Sequence, residues 1–88
     1  MALDLNRPYR LSPSVALRPE PFGALAYHFG NRRLTFLKTP QIVAVVRLLA
    51  DHDTMADALS AAGVPADEHA RFAAALSALA DSEVIDAR

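Results

Sequence analysis

Residues 22–49 read FGALAYHFGNRRLTFLKTPQIVAVVRLL, two short apolar stretches around Gly30-Asn31 followed by a longer apolar segment. Gly and Asn both tolerate positive φ, so the pattern predicts a β-hairpin with a two-residue turn of type II′ or I′. This loop places Leu25 opposite Phe36 and brings the large apolar side chains of both strands onto one face. A loop one residue longer would mix the two faces, so the two-residue register is favoured.

A capped helix is predicted directly after the hairpin. Thr39 suits the N-cap position, and Pro40 suits the first helical position, where no N–H is needed. The apolar residues beyond this cap recur at the spacing of one helix face: Ile42, Val45, Val46 and Leu49. We therefore expect a helix that is buried on most sides.

Two further helices are predicted in the second half of the chain. Asp53 or Thr54 can cap the first of them, and Gly63 stands where a C-terminal glycine is favoured. Pro65 opens the next helix, in which we expect His69 to lie on an exposed face. The apolar stripe of this helix consists of Phe72, Leu76 and Leu79, with Ala75 beneath them.

The N-terminal residues show no clear period. Residues 1–14 contain two prolines, so we expect an extended lead-in with loose ends before a single domain over residues 15–88. A short strand is expected at Val15–Arg18, stopped by Pro19, and Val84-Ile85 should fold back onto the core. The order of elements predicts an α+β fold of winged-helix-like form, a three-stranded antiparallel sheet followed by three helices.

Composition is that of one small globular domain. With 88 residues, 52% hydrophobic and 22% charged, the chain is far from the composition of disordered segments. The absence of Cys excludes disulfides and thiolate metal sites. No apolar run approaches the ~18–20 residues that span a bilayer, and the N-terminus has no apolar signal core. We therefore expect a cytoplasmic protein.

No pattern of catalytic or metal-binding residues stands out. The three His lack metal-ligand spacing, and a solvated loop accounts for Asp51-His52-Asp53 more simply than a cation site does. No Ser stands in a nucleophile-elbow pattern, and the three Gly are accounted for by turns instead of a phosphate-binding loop. We therefore predict a protein that is not an enzyme and that has no metal and no cofactor.

DNA binding is the main alternative, because the second and third predicted helices resemble a helix-turn-helix. The third helix, however, starts with Asp67 and Glu68, and residues 54–88 carry a net charge of −4 while residues 1–53 carry +3. Affinity for DNA comes from cations that neutralise phosphates, so an acidic recognition helix is poorly suited to that partner. A winged-helix DNA-binding or protein-interaction module remains the alternative function.

The second strand of the hairpin combines cations with apolar side chains. Arg32, Arg33 and Lys38 flank the apolar residues of this strand. Such cations can simply keep an edge strand soluble, or they can belong to an edge that accepts another peptide as an extra strand. The residues alone do not choose between these two interpretations.

One stretch resembles a known family. Residues 18–38, RPEPFGALAYHFGNRRLTFLK, are similar to the signature of the mycofactocin biosynthesis peptide chaperones, the small B component of that pathway. The likeness spans about residues 13–85 and is most specific between Tyr27 and Lys38. More distantly, the chain resembles the peptide chaperone of pyrroloquinoline quinone biosynthesis. Both are recognition elements for precursors of ribosomally made, post-translationally modified peptides.

The resemblance implies a fold, a partner and a non-catalytic role. Members of such families bind the leader of a short precursor peptide as a strand, beside the third strand and in a cleft shared with the third helix. They present the precursor to a radical S-adenosylmethionine maturase, which in mycofactocin biosynthesis acts on a C-terminal Val-Tyr pair. The resemblance therefore implies a winged-helix-like peptide chaperone without catalytic residues.

The residues of the predicted edge fit this mechanism. Either Thr35 and Leu37 or Leu34 and Phe36 would offer side-chain pockets at period two, and the neighbouring cations would favour an acidic leader. The apolar stripe of the third helix would form the wall of the cleft or belong to the core. The predicted peptide-binding residues are Arg32, Arg33, Leu34, Thr35, Phe36, Leu37, Lys38, Phe72, Leu76 and Leu79.

Overall fold

Two antiparallel sheets and three α-helices form the computed structural model, which describes residues 3–88. The strands and helices are β1 Tyr9–Leu11, β2 Val15–Glu20, β3 Gly23–His28, β4 Leu34–Leu37, α1 Pro40–Leu48, α2 Met55–Ala61, α3 His69–Asp81 and β5 Ile85–Ala87. The first sheet has the strand order β2-β3-β4, and the second pairs β1 with β5. The predicted α+β class with a three-stranded sheet before three helices is confirmed, and the pair β1–β5 adds a second sheet.

The predicted hairpin register is confirmed, but the predicted turn is wrong. Leu25 lies opposite Phe36, whereas the chain turns through a four-residue loop, residues 29–32. In this loop Arg32, not Gly30 or Asn31, has a positive φ of 62°. Loops of two and four residues give the same register. The wider loop is held by the Nδ1 atom of His28, which accepts hydrogen bonds from the backbone N–H groups of residues 30 and 31 at 3.0 and 3.1 Å.

The N-terminal segment is more ordered than the sequence predicts. Residues 9–11 form β1 and pair with β5, and the buried Ser12 donates its N–H to the carbonyl of Val84 at 2.9 Å. The expected loose lead-in is therefore wrong for this segment, because the chain after α3 supplies a strand edge. Residues 1 and 2 lie outside the described residues. Val84 and Ile85 fold back onto the core, as predicted.

Strand β2 also runs further than predicted. Pro19 does not end it, because β2 is an edge strand and an absent N–H breaks no ladder when it faces outward. Pro19 lies opposite Ala24, and pairing continues to Glu20.

The three-stranded sheet is buried on the face that carries its small residues. Ala24, Ala26 and Leu37 are buried against the helices. Tyr27, Leu34 and Phe36 lie on the opposite face and are exposed. Alternation of side chains across the sheet explains the partition, and the alanines of β3 leave room for α1 to pack closely.

The helix caps follow the sequence pattern. The Oγ1 atom of Thr39 accepts from the N–H of Ile42 at 3.2 Å, and Thr54, not Asp53, caps α2 in the same way. Gly63 follows α2 with a φ of 85°, as expected for a C-terminal glycine. The largest fully buried side chains are Leu37, Val45, Val46, Leu49, Met55, Leu59, Leu76, Val84 and Ile85.

Two predictions about α3 are corrected by its orientation. The side chain of His69 is buried, with its Nε2 atom 3.0 Å from the carbonyl oxygen of Val64, so the exposed position predicted for it is wrong. Ala75 is exposed and does not lie beneath the apolar stripe. No helix within residues 3–88 has the length and apolar character needed to cross a bilayer.

Candidate functional site

Strand β4 is an edge strand with an open side. It pairs with β3, and within residues 3–88 no strand pairs with its other side. The N–H of His28 donates to the carbonyl of Arg33 at 3.0 Å, so these two residues form a hydrogen-bonded pair between β3 and the start of β4. Since hydrogen-bonded positions alternate in an antiparallel pair, Thr35 and Leu37 bond to β3. The backbone N–H and C=O groups of Leu34 and Phe36 therefore point toward the open side.

A groove of about 400 Å³ lies beside this edge, between β4 and α3. It adjoins a second hollow of about 230 Å³ that extends toward Gln41, Arg71 and Phe72. We call the two together the β4–α3 groove, since both are lined by Thr39, Ile42 and Ala75. Its other lining residues are Thr35, Phe36, Leu37, Lys38, Ala78, Leu79 and Ser82.

The structure divides the predicted strand residues between two surfaces. Thr35 and Leu37 line the β4–α3 groove from the inner face of the sheet. Leu34 lies on the exposed face, and Phe36 lies on that face while also reaching the groove. Both predicted pairs therefore border the open edge, one pair on each side of the strand.

The predicted helix residues are all buried, and two of them border the groove. Leu79 and Phe72 lie on its wall, each with less than a tenth of its surface exposed. Leu76 is fully buried in the core and is not among the lining residues. The sequence left open whether this stripe forms the hydrophobic core or the wall of the cleft. Leu76 belongs to the core, whereas Leu79 and Phe72 belong to the core and also form part of the groove wall.

Cations stand at both ends of the groove. Lys38 lines it, while Arg32 and Arg33 are exposed in the hairpin loop and just after it. Among the described residues none of these three forms an ion pair. At the other end, Arg71 bonds to Glu68 and lies 5.3 Å from the centre of the Phe72 ring. The groove is thus lined mainly by apolar atoms, with the unpaired Lys38 on its lining and the Arg71–Glu68 ion pair at the end near Phe72.

Sequence analysis missed the small side chains that open the groove. Ala75 and Ala78 of α3 and Ser82 just after it line one side of the groove, and Ile42 of α1 also lines it. The sequence did indicate the helical side of the groove, because the small residues Ala75, Ala78 and Ser82 recur at i, i+3 and i+7 beside the apolar stripe. Alanines at these positions bring no bulk, so a cleft remains between helix and strand.

Metal ligands do not gather in the part of the chain that the structure describes. No group of three or more His, Asp or Glu side chains lies close enough together to hold an ion. His28 accepts loop N–H groups, and His69 bonds to a backbone carbonyl.

Comparison with known proteins gives the family. The model of the peptide chaperone MftB family matches residues 8–86. The chain belongs to this family. The match includes all of β4 and α3, and it confirms the resemblance that residues 18–38 indicated.

Three members of the MftB family are similar to almost the whole chain. A peptide chaperone MftB of Mycobacterium ulcerans is 56% identical over 84 residues, 96% of this chain and 77% of the relative. The peptide chaperone MftB of Mycolicibacterium smegmatis is 48% identical over 97% of this chain and 83% of the relative. The peptide chaperone MftB of Mycobacterium tuberculosis is 50% identical over 93% of this chain and 75% of the relative. No solved structure matches significantly.

Proposed function

We propose that this chain is a non-catalytic peptide chaperone of mycofactocin biosynthesis in the cytoplasm. It binds the leader of a ribosomally made precursor peptide and presents the precursor to a radical S-adenosylmethionine maturase. The proposal rests on membership of the peptide chaperone MftB family and on one structural observation, the open edge of β4 beside an apolar groove. In this view the sheet and helices act as a winged-helix-like support for the edge.

Strand addition is the binding mode that suits this edge. The outward N–H and C=O groups of Leu34 and Phe36 are positioned to form a ladder with an incoming strand. Alternate side chains of the leader would then enter the groove beside Thr35 and Leu79. The backbone bonds supply affinity, and the groove selects small or medium apolar side chains.

The charges around the site favour an acidic leader. Arg32, Arg33 and Lys38 have no carboxylate partner among the described residues, so a peptide can pair with them without displacing one. Such exposed charges mainly speed association and select partners, because solvent screens them. We expect the acidic residues of the leader to lie at the ends of the added strand.

Removing a single outward N–H group tests strand addition. Leu34 is the first residue of β4, so a Leu34→Pro variant removes an N–H that points to the open side and leaves the bonds to β3 in place. We expect the dissociation constant of a labelled acidic leader to rise about 3- to 10-fold relative to Leu34→Ala, which retains the N–H. Titration calorimetry measures the difference.

Two controls make the result specific. Thr35→Pro removes an N–H that bonds to β3, so it should lower the melting temperature strongly, whereas Leu34→Pro should not. Equal leader affinity for the Pro and Ala variants of residue 34 would exclude a ladder through that N–H. Binding of duplex DNA but not of the leader by the unaltered chain would favour the alternative module instead.

A further inference from the structure

The exposed face of the three-stranded sheet is apolar and aromatic. We call it the outer sheet face, formed by Leu25, Tyr27, Phe29, Leu34 and Phe36, with Phe22 at its border. Leu34, Phe36 and Phe29 are each 59–60% exposed, and Tyr27 is 36% exposed. Two pairs of aromatic rings are in contact on this surface. The ring centroids are 5.8 Å apart for Phe22 and Phe36 and 5.3 Å apart for Tyr27 and Phe29. A contiguous apolar patch of this kind marks an interaction surface.

The charged groups around the outer sheet face are mainly basic. Arg18 shares the face because it lies opposite Leu25, and Arg32 and Lys38 stand at the hairpin loop and at the end of β4. Glu20 is the one acidic residue in β2, β3 and β4, and it pairs with Arg18 at 3.3 Å, so the excess positive charge comes from Arg32 and Lys38. A complementary surface therefore has an apolar centre and carboxylates at its rim.

An added leader strand cannot cover this face. Neighbouring strands lie about 4.8 Å apart, so a strand beside β4 runs about 10 Å from β3. It would meet Leu34 and Phe36 and would leave Tyr27 and Phe29 uncovered. Every second side chain of the leader strand would nevertheless lie on the same side as the outer sheet face. The sheet and the leader would then form one continuous surface.

A second copy of the chain is also a poor match. Two-fold pairing through this face would bring the basic rims of both copies together, with the unpaired Arg32 and Lys38 on each side. Single-stranded nucleic acid could stack on the rings, but a chain with a net charge of −1 is poorly suited to a polyanion.

We infer that the outer sheet face is the surface by which the chain docks on the maturase, and that the maturase offers an apolar patch rimmed with carboxylates. The inference rests on the proposed function, because the leader strand beside β4 and the enzyme on the adjoining face would be held next to each other. Docking on this face brings the precursor to the enzyme and leaves the β4–α3 groove open to the leader, while Phe36 and Lys38 border both surfaces.

The test separates docking from leader binding. The whole chain is altered at two positions away from the edge, Tyr27→Ser with Phe29→Ser, and compared with Tyr27→Phe with Phe29→Tyr, which keeps both rings. Affinities for the purified maturase and for the acidic leader are measured separately by biolayer interferometry. We expect the serine variant to bind the maturase about tenfold or more weakly, and the aromatic variant to bind it as the unaltered chain does. Leader affinity should stay within about twofold for both.

A charge reversal gives a second, independent readout that does not depend on packing. The side chain of Arg18 is 78% exposed, so Arg18→Glu, which loses the surface ion pair with Glu20, should lower the melting temperature only slightly while slowing association with the maturase at low salt. Arg47→Glu makes the same charge change on α1, away from the face, and should leave that association rate unchanged. Should the serine variant fail to fold, this pair of variants decides the question.

Several results would overturn the inference. Maturase affinity that survives both alterations excludes this face as the docking surface. A concentration-dependent dimer that the serine variant abolishes assigns the face to a second copy, and binding of a single-stranded oligonucleotide that the same variant abolishes assigns it to nucleic acid. If the unaltered chain fails to bind the leader, the proposed function itself is wrong, whatever the maturase data show.

Discussion

The Nδ2 atom of Asn31 donates a hydrogen bond to Oε2 of Glu83 at 2.8 Å and so joins the hairpin loop to the turn after α3. Asn31 also accepts the N–H of Arg33 at 2.9 Å through its Oδ1 atom. The two walls of the β4–α3 groove are thereby tied together near the loop. Glu83 has a left-handed φ of 63°, and Val84 bonds to Leu79 at 2.9 Å in the manner of a helix C-terminal motif.

The left-handed conformation of Glu83 leads to a stability prediction. Because glycine adopts this conformation without the steric strain that the Cβ of Glu83 brings, Glu83→Gly should raise the free energy of unfolding by about 0.5–1 kcal/mol. The exposed bond to Asn31 is lost, which offsets part of this gain. Thermal melting should show a rise of a few degrees.

Ser82→Gly is the matched control for this change. Ser82 precedes Glu83 and has a φ of −86°, so a glycine there relieves no strain and should lower stability by about 0.5–1 kcal/mol. Opposite signs for the two variants support the strain argument. A loss of stability in Glu83→Gly would mean that the bond to Asn31 outweighs the backbone strain.

Arg33 gives a prediction about charge. It is exposed and unpaired among the described residues, at the start of the open edge. Arg33→Glu should weaken binding of an acidic leader about 3- to 10-fold at low salt, with a smaller effect at high salt, since salt screens exposed charges. The melting temperature should change little.

The control for Arg33 is a charge reversal elsewhere. Arg47 is exposed on α1 and does not line the β4–α3 groove. If Arg47→Glu weakens leader binding as much as Arg33→Glu does, only the overall charge of the chain matters. Unchanged affinity in Arg33→Glu would exclude a contribution of this cation to the site.

His69 is predicted to be a structural residue. A carbonyl oxygen only accepts, so at 3.0 Å the Nε2–H of His69 donates to Val64 within the core. His69→Ala removes the ring and leaves this carbonyl without its side-chain partner, so we expect a loss of about 2 kcal/mol and a melting temperature lower by about 10 °C. His52→Ala, in the loop before α2, should change stability by less than about 0.5 kcal/mol. Similar melting temperatures for the two variants would contradict a core role for His69.

The hairpin shows which parts of the fold were predictable from sequence. Its register follows from side-chain alternation, since a one-residue slip would exchange the faces. Its turn did not follow, because two- and four-residue loops give the same register and the choice depends on the imidazole of His28. The pairing of β1 with β5 depends on residues about 76 positions apart, such as Arg10 and Asp86, and local patterns carry no signal for it.

The site was predictable in part for similar reasons. The open edge follows from the order of elements, and the cations beside it are visible in the sequence. His69 lies three residues before Phe72 and thus continues the buried stripe of α3. Its burial was not predicted because histidine is a polar residue type. The groove depends on how far α3 stands from β4, which local periodicity does not determine.

Filling the groove tests whether it takes part in leader binding at all. Ala78 is exposed on α3 and lines the groove opposite β4. A phenylalanine side chain there fills part of the roughly 400 Å³ hollow beside β4. We expect Ala78→Phe to keep or raise the melting temperature and to weaken leader binding about tenfold or more, because the leader's inward side chains lose their space. Titration calorimetry with the same labelled leader measures the loss.

The matched control places the same side chain on another side of the helix. Ala70 is exposed in the first turn of α3 and does not line the groove, so Ala70→Phe should bind the leader as the unaltered chain does. Combining Ala78→Phe with Leu34→Pro then separates side-chain from backbone contributions, because the two losses should add if they are independent. Full leader affinity in Ala78→Phe would mean that the leader pairs with β4 while its side chains stay outside the groove.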